Sequence, residues 1–226
     1  MRILNEVSFG AHYFLTGIIL RDSMLINSIL LNVEVWFFMT QEETEKFEKI
    51  DKLFIRKILE TPRSTPVSAL YLECGIIPIQ FLIKARRVMY LYYLLSLKEN
   101  DMLYKVFKAQ QEDPVRNDWT YTVKENLEEF EINLEYKEIK QMKHEKFKKL
   151  VKEKCKALAF NYLIAEKTKT KKKMGKLKYK KLKVSKYLKS KILTINQKKI
   201  LFKLRCKMAN VGNNFGRHEK CKLCNK

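Results

Sequence analysis

Residues that interrupt helices are scarce in this sequence. It has 6 Gly and 4 Pro in 226 residues, and both residue types are unfavourable inside a helix. Leu, Lys and Glu, which favour helices, are abundant. Hydrophobic residues make up 46% of the chain, which is enough for a packed core and argues against wholesale disorder. The composition therefore predicts an all-α protein with a compact helical domain.

Cysteine is also sparse, and its number is odd. The five cysteines lie at positions 74, 155, 206, 221 and 224, a spacing that does not suggest a secreted disulfide framework. The amino-terminal segment does not have the pattern of a signal peptide, because Glu6 and His12 interrupt it and Arg21 and Asp22 follow its apolar run. We therefore predict a nuclear or cytoplasmic protein that is not secreted.

Patterns for a membrane span and for catalysis are also missing. No uncharged apolar run approaches the roughly 20 residues that a spanning helix needs, so we predict no membrane partner. Polymerases and nucleases hold two divalent ions between closely placed carboxylates, but no two of the five aspartates are adjacent. There is no glycine-rich phosphate loop and no nucleophile elbow. The sequence therefore predicts no catalytic residue.

Positive charge is concentrated in the second part of the chain. Residues 1–140 contain 18 Lys and Arg and 21 Asp and Glu, whereas residues 141–226 contain 29 and 4. The first part therefore has a net charge of −3 and the second a net charge of +25, which together give the total of +22. Such an asymmetry indicates a polyanionic partner, which we predict to be RNA or DNA.

Helical patterns are clearest over residues 31–95. Thr40 and Glu43 form a capping box at the start of one helix. Gly75 is the predicted end of a second helix, and Pro78 begins a third. The apolar stripe predicted for the first of these helices consists of Phe47, Ile50, Phe54 and Ile58.

Three regions are predicted from these patterns. Residues 1–165 form the helical domain, and residues 166–193 form a basic, extended linker. Residues 194–226 form a helix followed by a truncated zinc half-site. A second capping box, Thr194 with Gln197, begins that helix, and its predicted apolar side consists of Leu201, Leu204 and Met208.

The linker has the most unusual composition. Residues 167–191 contain 13 Lys and no acidic residue. One interpretation is a solvated linker or a nuclear-import signal; the other is an arm that follows phosphates, with its tyrosines stacking on unpaired bases. The third helix adds a basic edge near its start. The predicted nucleic-acid-binding residues are Lys84, Arg86, Arg87, Lys169, Lys171, Lys172, Lys173, Lys176, Lys178, Lys180, Lys181 and Lys183.

Cys221 and Cys224 have the spacing of half a tetrahedral zinc site. The nearest other donor is His218, and no ligand follows the pair. We therefore predict an incomplete metal site: no cofactor in the isolated chain, with zinc bound only if further ligands are supplied. A redox role needs a strand-to-helix thioredoxin context, which the sequence does not indicate.

Several segments in colinear order resemble one family. They are NVEVW at 32–36, TQ at 40–41, IRKIL at 55–59, STP at 64–66, LYLECGIIPI at 70–79, RRVMYL at 86–91, NDW at 117–119, LRCKMAN at 204–210 and CKLC at 221–224. Together they resemble the region that follows the polymerase palm in non-LTR retrotransposon reverse transcriptases of the restriction-like-endonuclease lineage.

This resemblance implies thumb-side helices, then a linker, then the first cysteines of a cysteine and histidine zinc module. The family's aromatic-x-Asp-Asp palm motif is not in this chain. The resemblance therefore implies a nucleic-acid-binding fragment that is inactive alone, from a parent RNA-directed DNA polymerase with an endonuclease. The alternative is a freestanding helical interaction protein, domesticated or decayed, whose basic tail binds acidic partners.

Overall fold

Helices form nearly all of the regular structure. The computed structural model describes residues 13–36, 39–113, 115, 118–169 and 177–206, and no strand occurs among them, which confirms the all-α prediction. A π-helical turn, Arg21–Leu25, and a 3-10 turn, Val33–Val35, accompany the α-helices. The α-helices are Tyr13–Leu20 (α1), Ile26–Ile29 (α2), Gln41–Leu59 (α3), Val67–Cys74 (α4), Ile79–Ser96 (α5), Met102–Glu112 (α6), Trp119–Glu129 (α7), Tyr136–Gln141 (α8), His144–Lys169 (α9), Lys186–Lys189 (α10) and Ile195–Arg205 (α11).

The helix ends follow local sequence signals. In the capping box before α3, the Glu43 N–H donates to Thr40 Oγ1 at 3.2 Å and the Thr40 N–H donates to Glu43 Oε2 at 2.8 Å. Thr194 and Gln197 form the same arrangement before α11. Gly75 ends α4 in the left-handed conformation, with φ of 63°, where glycine is favoured. Both predicted capping boxes and this predicted helix end are confirmed.

Helix α5 is at the centre of the molecule. It packs against α3, α6, α7, α8 and α9, and α4 packs against α9. Within the described residues, no single helix is long and apolar enough to cross a membrane; α4 and α5, bent by 56°, pass that test only as a pair. Val88, Leu91, Leu94 and Leu95 of α5 are buried.

The buried face of α3 differs from the predicted stripe. Ile50 is 43% exposed, whereas the neighbouring Asp51 is fully buried. The face in the core consists of Asp51, Ile55, Ile58 and Leu59. The predicted stripe is confirmed at Ile58, and Phe47 and Phe54 pack partly buried against the core. It was wrong at Ile50, because Asp51 has a buried cationic partner and turns inward instead.

That partner is Arg21, which lies in the π-helical turn and is also buried. Its Nε and Nη2 donate to the two carboxylate oxygens of Asp51 at 2.5 and 2.8 Å. The Tyr71 hydroxyl donates to Asp51 Oδ2 at 3.0 Å. Burial raises the pKa of Tyr71 well above its usual range, so the phenol stays protonated as a donor. This network joins three helical segments.

The lysine-rich segment packs on the helical core. Leu182 and Leu188 are buried in the main core, and Tyr179, Val184 and Tyr187 pack against it. Residues 177–193 of the predicted linker therefore share the core of the helical domain, and the interpretation of a solvated linker does not fit them. The apolar side chains that alternate with the lysines of this segment are the ones that pack into the core. Most of the segment is irregular apart from α10.

Helix α11 joins the same core through a face that was not predicted. Lys198, Phe202 and Cys206 recur every four residues and are buried, while Leu204 is 41% exposed. Met208 lies outside the described residues. The predicted boundary at 193–194 therefore separates residues that share one core in the structure.

Buried thiols give the fold a pH dependence. Cys155 donates to the Phe81 carbonyl at 3.4 Å, and burial raises the pKa of this thiol from 9.0 to about 12. Since the folded pKa is the higher one, the stabilisation is complete below the unfolded pKa and is lost as pH rises towards the folded pKa. Between about pH 8 and about pH 10.5, the wild type should lose about 2 kcal/mol more stability than Cys155→Ala.

Urea titrations of both proteins at the two pH values measure this difference. The comparison uses the change with pH, because the cavity left by Cys155→Ala lowers stability at every pH. Equal losses in the two proteins would show that the Cys155 thiol is not held protonated by the fold.

Candidate nucleic-acid interface

A buried carboxylate attaches the lysine-rich segment to the core. Glu73, the penultimate residue of α4, is fully buried. The Ser185 hydroxyl donates to its Oε2 at 2.6 Å, and the Ser185 N–H donates to its backbone carbonyl at 2.9 Å. Arg205 of α11 donates to Oε1 through Nε at 3.0 Å, and its Nη2 lies 2.9 Å from the same oxygen. The Tyr179 hydroxyl also donates to Oε1.

Electrostatics keep these donors in place. Burial, together with the hydrogen bond to Glu73, raises the pKa of Tyr179 well above its usual range. The phenol therefore stays protonated and donates at neutral pH. The guanidinium of Arg205 lies over the Tyr187 ring, 5.5 Å from its centroid, so one arginine holds both the carboxylate and an aromatic ring of the segment.

Gly75 allows the segment to approach α4 closely. A Cβ at this position would lie 2.2 Å from the Val184 nitrogen and 2.8 Å from the Lys183 Cα. Both neighbours are backbone atoms, so a larger residue would push the segment away. Gly75 thus serves two purposes: it ends α4, and it leaves room for residues 183 and 184.

The attachment brings lysines together around one concavity, which we call the lysine pocket. Its volume is about 550 Å³, and Arg205, Tyr179, Val184, Ser185 and Ser190 complete its lining. No acidic residue lines it, and no described carboxylate forms an ion pair with its lysines. All of these lysines are exposed. They are Lys178, Lys180, Lys181, Lys183, Lys186 and Lys189.

Of the other predicted lysines of the segment, Lys169 is described and does not line this pocket. Lys169 ends α9 and lies 2.6 Å from Glu166, and its hydrogen bond to that carboxylate raises its pKa. The remaining four lie outside the described residues: Lys171, Lys172, Lys173 and Lys176. Cys221 and Cys224 are outside them too, so the incomplete zinc site stays a prediction. Among the described residues, no group of three potential metal ligands occurs.

The three predicted basic residues of α5 do not form a common exposed surface. Lys84 is paired with Glu129 of α7. Arg86 donates to the Leu30 carbonyl at 2.7 Å and to Asn27 Oδ1 at 2.6 Å. Arg87 is only 5% exposed. Burial leaves little of the Arg87 side chain accessible to a phosphate, so this position does not favour the predicted contact.

A second basic surface was not predicted. Helices α5 and α9, with the amino-terminal helices, enclose a cleft of about 790 Å³. Lys148, Lys152 and Lys156 line it from α9, and Arg86 and Tyr93 line it from α5. The spacing of four residues was visible in the sequence, but α9 has lysines on several faces. Only the packing of α9 against α5 identifies the lysines that face a cleft.

Comparison of the chain with protein-family models, with curated proteins and with solved structures finds no match in any of the three.

Proposed function

We propose that this chain is a nucleic-acid-binding fragment of a non-LTR retrotransposon reverse transcriptase, without catalytic activity of its own. The observation that carries the binding proposal is the lysine pocket, in which six exposed lysines surround one concavity lined by no carboxylate. Phosphates would supply the negative charge that the pocket lacks, and the cations condensed on the nucleic acid would be released. The retrotransposon origin rests on the sequence resemblance.

Binding through this pocket should depend on the backbone and little on base sequence. Ammonium groups act as point charges, and the pocket contains no Asn or Gln for bidentate contacts with base edges. Its one arginine is already held by Glu73. We therefore expect similar affinities for unrelated sequences and a steep dependence on salt.

Replacement of three pocket lysines tests the binding proposal. The test is a triple variant that combines Lys180→Ala, Lys181→Ala and Lys183→Ala. For duplex DNA, the slope of log affinity against log salt should become shallower by about 2.7, because each lost phosphate contact contributes about 0.9. Fluorescence anisotropy over a salt series measures the slope. The matched control combines Lys98→Ala, Lys105→Ala and Lys108→Ala, which removes the same charge from exposed positions outside the pocket.

An equal change of slope in both triple variants would contradict the pocket as the binding site. Equal binding to anionic vesicles and to nucleic acid at the same salt would instead favour the helical interaction protein with acidic partners. A primer-extension assay with divalent ions tests the absence of catalysis separately, and extension by the purified chain would overturn that part of the proposal.

A further inference from the structure

We propose that the cleft between α5 and α9 binds single-stranded nucleic acid, with phosphates along α9 and unpaired bases against α5. This inference rests on the proposed nucleic-acid binding and specifies the form of nucleic acid that one part of the surface accepts. The cleft adjoins the lysine pocket at Val184, which lines both, but its lysines belong to α9 and not to the segment around residues 178–190.

The α9 wall presents a regular row of positive charge. Lys148, Lys152 and Lys156 are exposed and line the cleft at successive intervals of four residues. In an α-helix this interval corresponds to a rise of about 6 Å, so the three side chains follow one side of the helix as a slightly slanted row. Lys148 is only loosely paired, with its Nζ 4.0 Å from Glu145. Such a row can follow a sugar-phosphate backbone.

The α5 wall presents aromatic rings opposite this row. Tyr93 is 47% exposed, and its ring is stacked with that of Tyr90 at a centroid distance of 5.5 Å and an interplanar angle of 29°. Tyr90 is fixed from behind by an edge contact with the Trp119 ring at 5.6 Å. Tyr93 is therefore a supported, solvent-facing ring on which a base can stack.

The amino-terminal side of the cleft carries its two carboxylates, Asp22 and Glu34. Asp22 is paired with Arg21, whereas the Glu34 carboxylate repels a phosphate. Among the described residues, Glu34 Oε2 is buried and has no hydrogen-bond partner. A carboxylate oxygen of this kind accepts from the exocyclic amino group of a base such as cytosine. The charges therefore orient a bound strand with its backbone towards α9.

The size and chemistry of the cleft exclude a duplex. A volume of about 790 Å³ is within the range of small-molecule sites and accommodates a few nucleotides. In a duplex the base faces are covered by their neighbours, so Tyr93 would have no free face on which to stack. Single strands expose these faces, which is the basis of sequence-tolerant stacking.

Tyr93 variants of the full chain test this inference. With an oligodeoxycytidylate of about twelve nucleotides as the probe, Tyr93→Ala should weaken binding fivefold or more. Tyr93→Phe should retain the wild-type affinity, because stacking needs the ring and not the hydroxyl. Affinity for a duplex of the same length should change less than about twofold in both variants. Tyr121→Ala, at a 36% exposed tyrosine of α7, is the control and should change neither affinity.

The outcomes separate this inference from the proposed function. If wild type binds both probes and Tyr93→Ala leaves single-strand affinity unchanged, or weakens both probes equally, the cleft proposal is overturned while nucleic-acid binding stands. If wild type binds neither probe at physiological salt, nucleic-acid binding itself fails. A selective loss in Tyr93→Ala that Tyr93→Phe does not show supports the cleft.

Discussion

Asp51→Ala is expected to lower the free energy of unfolding by about 4 kcal/mol, because it leaves a buried cation without its partner. Arg21 and Asp51 are 2% and 0% exposed, and two charge-assisted hydrogen bonds join them. Without the carboxylate, the Arg21 guanidinium keeps, among the described residues, Asp22 and the Ile77 carbonyl, and the Tyr71 hydroxyl loses its acceptor. Desolvation of these groups would no longer be offset.

Urea unfolding followed by circular dichroism measures this loss. Asp51→Asn should be destabilised less than Asp51→Ala, because an amide oxygen still accepts from Arg21 or Tyr71. The control is Asp113→Ala, at an exposed aspartate after α6, which should change stability by less than about 0.5 kcal/mol. If Asp51→Ala were as stable as this control, the buried network would not be a main determinant of the fold.

Glu73→Ala is expected to release the lysine-rich segment and to lower stability by about 3 kcal/mol. The value is below that for Asp51 because Arg205 is 37% exposed and regains water when its partner is removed. Ser185 and Tyr179 would also lose their acceptor. Because no other described carboxylate attaches this segment, the lysine pocket would lose its shape while keeping its charge.

Limited trypsin digestion detects the release directly. Cleavage after the lysines of residues 178–189 should become much faster in Glu73→Ala, whereas Glu128→Ala, at an exposed glutamate of α7, should be digested as the wild type is. Affinity for nucleic acid should fall although the net charge becomes more positive. Faster digestion without any loss of affinity would show that lysine charge suffices and that the pocket geometry does not matter.

Local signals were sufficient for the helix ends. The capping boxes at Thr40 and Thr194, the left-handed Gly75 and the start of α5 after Pro78 all depend on atoms within a few residues. Such interactions form whatever the distant chain does, so their residue types and spacing predict them. The all-α class follows for the same reason, since helix propensities add along the chain.

The two buried carboxylates were not recognised because their partners are distant in sequence. Asp51 pairs with a residue 30 positions away, and Glu73 pairs with one 132 positions away. In a sequence, each resembles the solvent-facing acid of an ordinary amphipathic helix. The error at Ile50 has the same origin. Asp51 faces inward to meet Arg21, and its neighbour Ile50 is therefore turned towards solvent.

By itself, the amino-acid sequence determined the helical class, the helix ends and the excess of lysine after residue 140. Only the tertiary structure decided which charges act together. Six lysines converge because Glu73 and Gly75 hold their segment against α4, and three lysines of α9 face Tyr93 because α9 packs on α5. Composition fixes the number of charges, but the distances between them depend on contacts that close long loops of the chain.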